Sequence, residues 1–418
     1  MNAEIIAIGT ELLIGQTVDT NAAWMGQELN KVGVEVVRAT RVKDSPEDMV
    51  RSLDQLWPET KLVLLTGGLG PTHDDMTKNV LLSYFGGELI FIQEIYTHIE
   101  QLFQSMGRVP SLLNRAQAFV PSTCEALFNA KGTAPGMRWE REGVVFIAMP
   151  GVPYEMKHLM ETYVLPWADE NSQDLILHHT LHTQGVPESQ LAEILSSFEY
   201  ELPFHVSLAY LPSPGKVKLR LTWRGKKTDS MLAERELQVL VSDVRRAAES
   251  AYYGDNEDSL EKMIGEILTQ RGQTLSTAES CSGGSIAAAV TSVSGSSQYF
   301  TGGVVAYSNE VKISQLGVDP MDVLSHGAVS EVVVKQMAEG VKKRLCSDWA
   351  LATSGVAGPS GGSDEKPVGT VWIALSGPTG TTAEKFTMGT DRGRIVQKTV
   401  LTALNWLRRE LEKDSNPL

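Results

Sequence analysis

The chain has 418 residues, a formal net charge of −14, and a hydrophobic content of 42%. This length exceeds what a single hydrophobic core supports, so we expect several domains of a globular protein. The acidic balance argues against general binding to nucleic acid or to anionic membranes. The three cysteines, Cys124, Cys281 and Cys346, are widely spaced, which is typical of a reducing compartment and argues against a disulfide framework.

The N-terminal residues predict a buried strand rather than a signal peptide. Glu4 appears at once, and no basic segment precedes the apolar run of residues 5–8. No apolar run in the sequence approaches the roughly 20 residues that a membrane-spanning helix needs. We therefore expect a cytoplasmic protein with no membrane partner.

The first third of the chain predicts strands that alternate with helices. The predicted strands are continuous apolar or β-branched runs at residues 4–8, 34–37 and 61–65. Residues 11–15 are predicted to form a loop, after which Thr20 or Asn21 caps a helix that stops near Gly33. Ser45 and the proline after it open a second helix. This alternation predicts an α/β fold with a mostly parallel sheet.

The loop after the third strand, residues 66–75, is the chemical feature of this first domain. Its sequence is Thr-Gly-Gly-Leu-Gly-Pro-Thr-His-Asp-Asp, and its glycines let backbone amides approach a phosphate closely. Asp74 and Asp75 offer hard oxygen ligands for a divalent ion shared with substrate phosphates. The alternative is a plain turn whose aspartates cap the next helix. His73 is not expected to be a ligand.

Other carboxylates follow strand ends in the same domain. Glu11 and Asp19 come after the first predicted strand, and Asp44 comes after the second. Carboxyl ends of parallel strands meet at one edge of a sheet, which is where open α/β folds bind ligands. The same edge is therefore expected to gather several carboxylates.

Several stretches of this domain carry a family resemblance: residues 8–15, 19–21, 66–72 with Asp74 and Asp75, 132–136, and 149–157. They resemble the N-terminal domain of the CinA (competence/damage-inducible) family, which is similar to the molybdopterin-binding fold of molybdenum-cofactor biosynthesis proteins. The resemblance implies metal-dependent ADP-ribose pyrophosphatase activity, with a divalent metal such as Mg²⁺ as cofactor. Diphosphate hydrolysis needs such a phosphate cradle and metal. No general base is assigned.

From the carboxylates at this edge, the metal is expected on Glu11, Asp44, Asp74 and Asp75. The ADP-ribose substrate is expected on Thr66, Gly67, Gly68, Gly70, Asp19 and Asn21.

The middle of the chain, residues 171–254, predicts a small α+β unit. Strands are expected at residues 175–183 and 216–222, and helices at 187–195 and 230–251. The region resembles the KH-type domain of the CinA family. KH modules bind RNA through a Gly-X-X-Gly loop, and this region contains no such tetrad, so no nucleic-acid partner is expected. His178, His179 and His182 are interpreted as surface residues, and the unit is expected to space or pair subunits of a homodimer.

The last third predicts a second α/β domain in which polar, glycine-rich loops follow strands. At residues 274–284 a strand runs into a glycine turn, and a helix opens at Ser285. N–H groups of a first helical turn favour an anion or a developing oxyanion. Ser280 and Cys281 at this turn are both candidate nucleophiles. A later loop ends in Lys312, and a partly desolvated lysine can act as the base that a serine nucleophile needs.

The domain also resembles a known family, through residues 277–284, 307–312, 326–331, 354–359 and 366–370. These stretches are similar to the C-terminal CinA domain, the family of nicotinamide mononucleotide (NMN) deamidases. The resemblance implies hydrolysis of the NMN carboxamide to nicotinate mononucleotide and ammonia, without a cofactor. By position it implies Ser280 as nucleophile, Lys312 as base and Tyr307 in support. The substrate is expected on Cys281, Ser282, Gly283, Gly284, Asn309, Ser354, Gly355 and Arg392.

The chemistry agrees with these residue types. Ser280 would attack, and Lys312 would take its proton and later protonate the leaving ammonia. This requires the pKa of Lys312 to fall by about two to three units from about 10.4. Amides between Cys281 and Gly284 would hold the oxyanion, and Arg392 would bind the ribose phosphate in a fork. Cys281 is the alternative nucleophile, although no particular histidine is assigned as its base.

The sequence thus predicts two three-layer α/β domains, residues 1–170 and 255–418, joined by a KH-like α+β domain at 171–254. Both expected ligands, NMN and ADP-ribose, are breakdown products of nicotinamide nucleotides, so a role in pyridine nucleotide salvage is expected. One alternative is that only one outer domain is active. Another is a non-enzymatic protein of the competence or damage response that binds nucleotides or molybdopterin.

Overall fold

The computed structural model describes residues 1–72 and 75–413. It forms two compact units, Met1–His178 with Thr222–Glu236 and His179–Leu221 with Leu237–Leu418. Across the described ranges, none of the helices combines the length and the apolar character that a membrane span demands.

The first domain is built on a six-stranded sheet of order β2-β1-β3-β8-β7-β6, with a separate two-stranded ladder of β4 and β5. Strands β1, β2, β3 and β8 are parallel to one another, whereas β7 and β6 run antiparallel at one side. The strands are β1 Asn2–Ile8, β2 Glu35–Val42, β3 Thr60–Thr66, β4 Leu89–Phe91, β5 Phe119–Pro121, β6 Glu125–Leu127, β7 Gly136–Arg141 and β8 Val144–Met149.

Helices cover both faces of this sheet, as the predicted three-layer architecture requires. Successive strand residues point to opposite faces, so Ile5 and Leu64 pack in one core cluster while Ile6 and Val63 pack in another. The helices are α1 Thr10–Leu13, α2 Thr20–Lys31, α3 Pro46–Asp54, α4 Thr77–Phe85, α5 Gln93–Ser105, α6 Leu112–Ala116, α7 Pro153–Leu159 and α8 Leu165–Asn171.

Two local predictions for this domain are wrong. Thr10–Leu13, expected as a strand end and loop, forms the short helix α1. The cap of α2 is Asp19 rather than Thr20 or Asn21, because the Asp19 carboxylate accepts a hydrogen bond of 2.9 Å from the amide of Ala22. The Asn21 side chain is thereby left for the interior, where it makes contacts described below.

The middle of the chain forms a four-stranded sheet of order β10-β11-β9-β12. Its elements are β9 Asp174–Gln184, α9 Glu188–Tyr200, β10 Val206–Ser213, β11 Lys216–Lys226, α10 Ser230–Ala247 and β12 Tyr252–Asp255. The surface interpretation of His182 is wrong. Its ring is buried, stacks on Tyr253 and lies 2.7 Å from the carbonyl oxygen of Asn256 through Nε2.

The last domain has a five-stranded sheet of order β14-β13-β15-β16-β17. Strands β14, β13 and β15 are parallel, and β16 and β17 are antiparallel additions. The elements are α11 Leu260–Arg271, β13 Leu275–Glu279, α12 Ser285–Thr291, β14 Phe300–Val305, α13 Asn309–Leu316, α14 Pro320–His326, α15 Glu331–Leu345, β15 Trp349–Gly355, β16 Thr370–Gly377, β17 Gly380–Thr387 and α16 Arg392–Lys413.

This topology positions the loops that carry chemistry. Core clusters on the two faces, one around Ile264 and Leu404 and one around Val334 and Met337, make the domain three-layered. Because β14, β13 and β15 are parallel neighbours, their carboxyl ends lie at one edge of the sheet. The segments that follow these three strands therefore share that edge.

Candidate active site around Ser280 and Lys312

The central feature of this edge is a contact between a serine and a buried lysine. Ser280 follows directly after β13, and Lys312 lies in α13, whose start is capped by Ser308 accepting from the amide of Val311 at 3.3 Å. Lys312 Nζ lies 3.1 Å from Ser280 Oγ, and the lysine is only 1% exposed. The structure thus brings together two residues that are far apart in sequence.

Lys312 has further contacts that define its electrostatics. Its Nζ donates to the carbonyl oxygens of Ala306 at 2.7 Å and Tyr307 at 3.3 Å. Burial lowers the pKa of Lys312 below its ordinary value, and the neighbouring Cys281 acts in the opposite direction. Desolvation penalises the charged ammonium, so the neutral amine becomes accessible at lower pH than for an exposed lysine.

Cys281, the alternative nucleophile, has the opposite electrostatic setting. Burial raises the pKa of its thiol to about 11, although a hydrogen bond with Thr353 and the amides of Cys281 and Ser282 act to lower it. A thiol with such a pKa holds little thiolate at neutral pH, and the thiolate is the reactive form. The contact of Lys312 with Ser280 and the burial of the thiol therefore favour Ser280 over Cys281.

The turn after Ser280 corrects one expectation. The amides of Gly283 and Gly284, expected to hold an oxyanion, are already engaged: Gly283 N donates to Ser280 O at 3.1 Å and Gly284 N to Glu279 Oε2 at 3.0 Å. The amides of Cys281 and Ser282 have no oxygen acceptor within the ranges that the structure describes, and their recorded partner is the Cys281 sulfur. An oxyanion site at this turn is thus confined to these two amides.

Glu279 is a site residue that the sequence reasoning missed. It is 1% exposed, and its carboxylate accepts four hydrogen bonds from the turn and the start of α12. Thr353 was also missed; its carbonyl accepts from the amide of Ser280 at 3.0 Å, and its hydroxyl lies 2.7 Å from that of Ser282. The sequence does contain a signal for Glu279: it is an acidic residue at the end of a strand of small and β-branched residues. A buried carboxylate at such a position is costly in free energy unless it has hydrogen-bond partners.

Arg392 and Tyr307 form a second group at the site. Arg392 opens α16, and its Nη1 donates to the carbonyl of Gly358 at 2.8 Å while its Nη2 lies 3.3 Å from the hydroxyl of Tyr307. The Tyr307 side chain is 64% exposed. Tyr307 thus accepts from Lys312 through its main-chain carbonyl, and its phenol is bonded to Arg392.

The remaining predicted residues of this domain have structural contacts of their own. The Ser354 hydroxyl donates to the carbonyl of Ala328 at 2.6 Å, so it is available to a ligand only as an acceptor. Gly355 has no room for a side chain, since an added Cβ would lie 2.8 Å from the carbonyl oxygen of Thr370. Asn309 is exposed at the start of α13.

The first domain brings together another set of predicted residues. Asn21 Nδ2 donates to the hydroxyl of Thr66 at 3.2 Å and to the carbonyl of Gly151 at 2.8 Å, and the Thr66 hydroxyl donates to the carbonyl of Pro150 at 3.1 Å. In the described part of the chain, the buried Asn21 Oδ1 has no hydrogen-bond partner. Gly67 has φ 111°, and an added Cβ would lie 2.2 Å from the carbonyl oxygen of Ile8.

Glu155 is a further residue of this domain that was missed. It lies in α7 with its side chain largely buried, and Asn129 Nδ2 donates to its Oε2 at 2.6 Å. Burial raises the pKa of Glu155, and the Asn129 hydrogen bond partly opposes this. Its carboxylate is packed against Gly132, where an added Cβ would lie 1.8 Å from Oε2, so residues 132–136 and 149–157 meet here.

The predicted metal ligands are not gathered by the described residues. Asp44 Oδ2 accepts from the amide of Thr10 at 2.8 Å and from its hydroxyl at 3.0 Å, and Asp75 Oδ2 accepts from the amide of Thr72 at 2.8 Å. Glu11 is exposed in α1. Over residues 1–72 and 75–413, no three or more His, Cys, Asp or Glu side chains are grouped to hold a metal ion.

Asp74 and His73 lie outside the described residues. The donor set that can be seen does not fit a divalent ion, so the metal stays a prediction. Of the predicted phosphate cradle, Gly68 has φ 64° and would place a Cβ 2.2 Å from Thr77 Oγ1, and a Cβ on Gly70 would lie 2.5 Å from Asp75 Oδ2. A side chain at Gly68 would overlap Thr77 and strain the backbone, whereas one at Gly70 would meet the end of the Asp75 side chain.

The sheets and contacts above define a mixed α/β protein whose last domain holds a buried lysine against a serine. Three family models match in this order: the probable molybdopterin binding domain at residues 4–170, the damage-inducible protein CinA KH domain at 178–254, and the CinA C-terminal domain at 257–411. The chain belongs to the CinA family, which confirms the predicted resemblance.

Relatives match over almost the whole chain. The CinA-like protein of Cytophaga hutchinsonii is 43% identical over 98% of both chains, and that of Flavobacterium psychrophilum is 41% identical over 99% of both. Among solved structures, the competence/damage inducible protein CihA from Agrobacterium tumefaciens is 40% identical, covers 37% of this chain and 95% of its own, and has a TM-score of 0.35.

Proposed function

We propose that the last domain hydrolyses the carboxamide of NMN to nicotinate mononucleotide and ammonia, as part of pyridine nucleotide salvage. The observation that carries this proposal is the 3.1 Å separation of Lys312 Nζ and Ser280 Oγ at a buried position. Amide hydrolysis needs a nucleophile, a proton shuttle and oxyanion donors, and we assign these roles to Ser280, Lys312 and the amides that follow Ser280.

The contacts of Lys312 support its role as the base. A neutral amine has two hydrogens and one lone pair, and the carbonyls of Ala306 and Tyr307 accept two hydrogens. The lone pair then remains for the hydroxyl proton of Ser280. The resulting ammonium keeps both carbonyl partners until it gives a proton to the leaving nitrogen.

In the first step Ser280 Oγ bonds to the carboxamide carbon while its proton passes to Lys312. The C–N bond then breaks, ammonia leaves with the proton from Lys312, and an acyl-serine remains. Water then attacks the acyl-serine while its proton passes to the same amine. The C–Oγ bond breaks, Lys312 returns that proton to Ser280 Oγ, and nicotinate mononucleotide is released. The amides of Cys281 and Ser282 are the donors for the tetrahedral oxyanion in both steps, because the residue after a serine nucleophile commonly supplies such an N–H.

Arg392 is proposed to bind the 5′-phosphate. Its guanidinium has five N–H groups in a planar fork, and the two recorded contacts, with Gly358 and Tyr307, leave others for an anion. The exposed ring of Tyr307 beside it offers a flat surface to the nucleotide.

The decisive experiment measures ammonia release from NMN, with no metal added, by the wild type, Ser280→Ala and Lys312→Ala. Lys343→Ala is the matched control, since Lys343 is exposed on α15. We expect turnover by wild type and control, and a loss on the order of 10³-fold or more in both site variants. Turnover that survives in Ser280→Ala would reject the nucleophile, and no turnover by wild type would leave a nucleotide-binding domain.

For the first domain we infer hydrolysis of ADP-ribose. The support is the glycine loop after β3, whose neighbours Asn21 and Thr66 bond to each other and to the carbonyls of Gly151 and Pro150, since glycine-rich loops after strands can offer backbone amides to a diphosphate. AMP release from ADP-ribose, measured with Mg²⁺ and with a chelator, tests both the activity and its metal dependence. The Ser280→Ala variant should keep this activity. Tighter binding of molybdopterin than of ADP-ribose, without turnover, would favour a molybdopterin-handling protein.

A further inference from the structure

We propose that Glu279 is the positioning residue of the nucleophile: its carboxylate acts as a built-in anion that holds the turn between β13 and α12 and so fixes Ser280 and the amides of Cys281 and Ser282. The inference rests on the proposed function of this site. It concerns a residue that itself does not touch the reacting atoms.

The contacts of Glu279 define this role. Oε2 accepts from the hydroxyl of Ser282 at 2.7 Å and from the amides of Gly284 and Ile286 at 3.0 Å each, and Oε1 accepts from the amide of Ala287 at 2.8 Å. Both oxygens are therefore used, and the side chain is 1% exposed. Hydrogen bonds to a carboxylate are about twice as strong as neutral ones, so the turn is held firmly.

The main chain of Glu279 connects the same residue to the base. Its carbonyl accepts from the amide of Ala306 at 2.8 Å, and the carbonyl of Ala306 accepts from Lys312 Nζ at 2.7 Å. Glu279 thus stands between the nucleophile turn and a carbonyl that orients the base. A shift of this residue would change the geometry of both reacting groups.

The Glu279 carboxylate also occupies backbone amides that could otherwise bind an anionic group of the substrate. The start of α12 offers amides to an anion, and those of Gly284, Ile286 and Ala287 are taken by the protein itself. A ligand phosphate or oxyanion cannot compete for these donors without displacing a buried charge, which is costly. The oxyanion is left with Cys281 and Ser282, and the phosphate with Arg392.

Replacing Glu279 by glutamine tests this assignment with little change of shape. Glutamine keeps one acceptor oxygen but places an NH₂ where a carboxylate oxygen faces a backbone N–H, so the turn loses at least one bond and gains a repulsive contact. We expect kcat for NMN to fall by about 10- to 100-fold while KM changes by less than about threefold, which is the split of an effect on the transition state alone.

The pH profile distinguishes positioning from a charge effect on the base. The pKa of Lys312 is set by burial and by Cys281, so we expect the ascending limb of the kcat profile to keep its midpoint in Glu279→Gln. If kcat falls in Glu279→Gln and the midpoint of the ascending limb also shifts in pH, the positioning role would be overturned. Chemical rescue gives the second test: in Glu279→Ala, added formate should restore at least about tenfold of kcat, and an absence of rescue in a folded variant would count against the proposal.

A serine-reactive fluorophosphonate keeps the test independent of the NMN assignment. The probe forms an Oγ–P bond with Ser280 and releases fluoride, with the serine proton passing to Lys312. Intact mass follows the labelling, and Ser280→Ala is the blank. We expect Glu279→Gln to react about tenfold more slowly than wild type at an unchanged far-UV spectrum. Labelling and turnover equal to wild type would overturn the inference, whereas slow labelling in an enzyme that ignores NMN would reject only the substrate.

Discussion

Lys312 Nζ donates to the carbonyl of Ala306 at 2.7 Å, a shorter contact than the 3.1 Å that separates it from Ser280 Oγ. The base is therefore oriented by the backbone next to it and not by the nucleophile. A carboxylate in place of this carbonyl would hold the lysine as an ammonium. A neutral carbonyl orients the amine without that electrostatic penalty on proton loss.

The pH dependence of turnover follows from this setting. Burial lowers the pKa of Lys312 from its usual value of about 10.4, and activity requires the neutral amine. We expect kcat/KM for NMN to rise with pH and to level off at a lower pH than an unperturbed lysine would give. A profile without an ascending limb below the ordinary lysine pKa would contradict the assignment of Lys312 as base.

The same shift predicts how stability depends on pH. A lysine whose folded pKa lies below its unfolded pKa binds fewer protons when folded, so its contribution to the free energy of unfolding grows as pH rises through the interval between the two values. Wild type should therefore gain more stability than Lys312→Met as pH rises from 7 towards 10. Urea denaturation of the two proteins at several pH values measures this, and parallel curves would argue against a depressed pKa.

The cysteines should differ in reactivity. Burial raises the pKa of the Cys281 thiol to about 11 and that of Cys124 to about 12, whereas Cys346 is exposed. At pH 8 we expect a thiol reagent to modify Cys346 fast and the other two slowly. NMN turnover should survive this modification. Rapid modification of Cys281 with a parallel loss of activity would instead support Cys281 as the nucleophile.

Arg392 should control selectivity for the phosphate. We expect Arg392→Ala to raise KM for NMN by about 10- to 100-fold with a smaller change in kcat, because the contact is the same in ground and transition states. The preference for NMN over nicotinamide riboside should shrink by the same factor. Arg394→Ala, an exposed arginine two positions later on α16, is the control. An equal effect of both substitutions would indicate general electrostatics rather than a phosphate contact.

Substitutions at two glycines of the first domain distinguish the cost of backbone strain from the cost of steric overlap. Gly15 and Gly67 both have positive φ, 75° and 111°, but an added Cβ meets nothing at Gly15 and lies 2.2 Å from the Ile8 carbonyl at Gly67. Gly15→Ala should cost about 1 kcal/mol of unfolding free energy, and Gly67→Ala at least about 2 kcal/mol more. Equal losses in urea denaturation would mean that the loop at Gly67 relaxes freely.

Much of this architecture was predictable because it depends on local patterns. Continuous apolar runs predicted β1 and β3, and a serine before a proline predicted the cap of α3. The family resemblance assigned Ser280 and Lys312 to one site, and the parallel neighbours β13 and β14 explain why the segments that carry them meet. Such features depend on periodicity and topology, which the sequence displays directly.

Other features depend on partners that the sequence does not display. Glu279 gains its role only when the turn closes on its carboxylate, and His182 is buried only because β12 brings Tyr253 against it. The cap of α2 was misassigned by one residue, since Asp19, Thr20 and Asn21 are all chemically able to cap. Which polar groups are buried is decided by tertiary contacts.

The two basic side chains of the proposed site should respond unequally to ionic strength. With the positive start of α12 neutralised by Glu279, attraction of an anionic nucleotide depends on Arg392, which is exposed, while Lys312 lies in the interior. Mobile ions screen exposed charges over a Debye length of about 8 Å at physiological salt, and they reach buried ones much less. Added salt should therefore weaken binding of the substrate and leave the rate of the chemical step almost unchanged. Substrate binding and chemistry then depend on different charges, of which only the exposed one is screened.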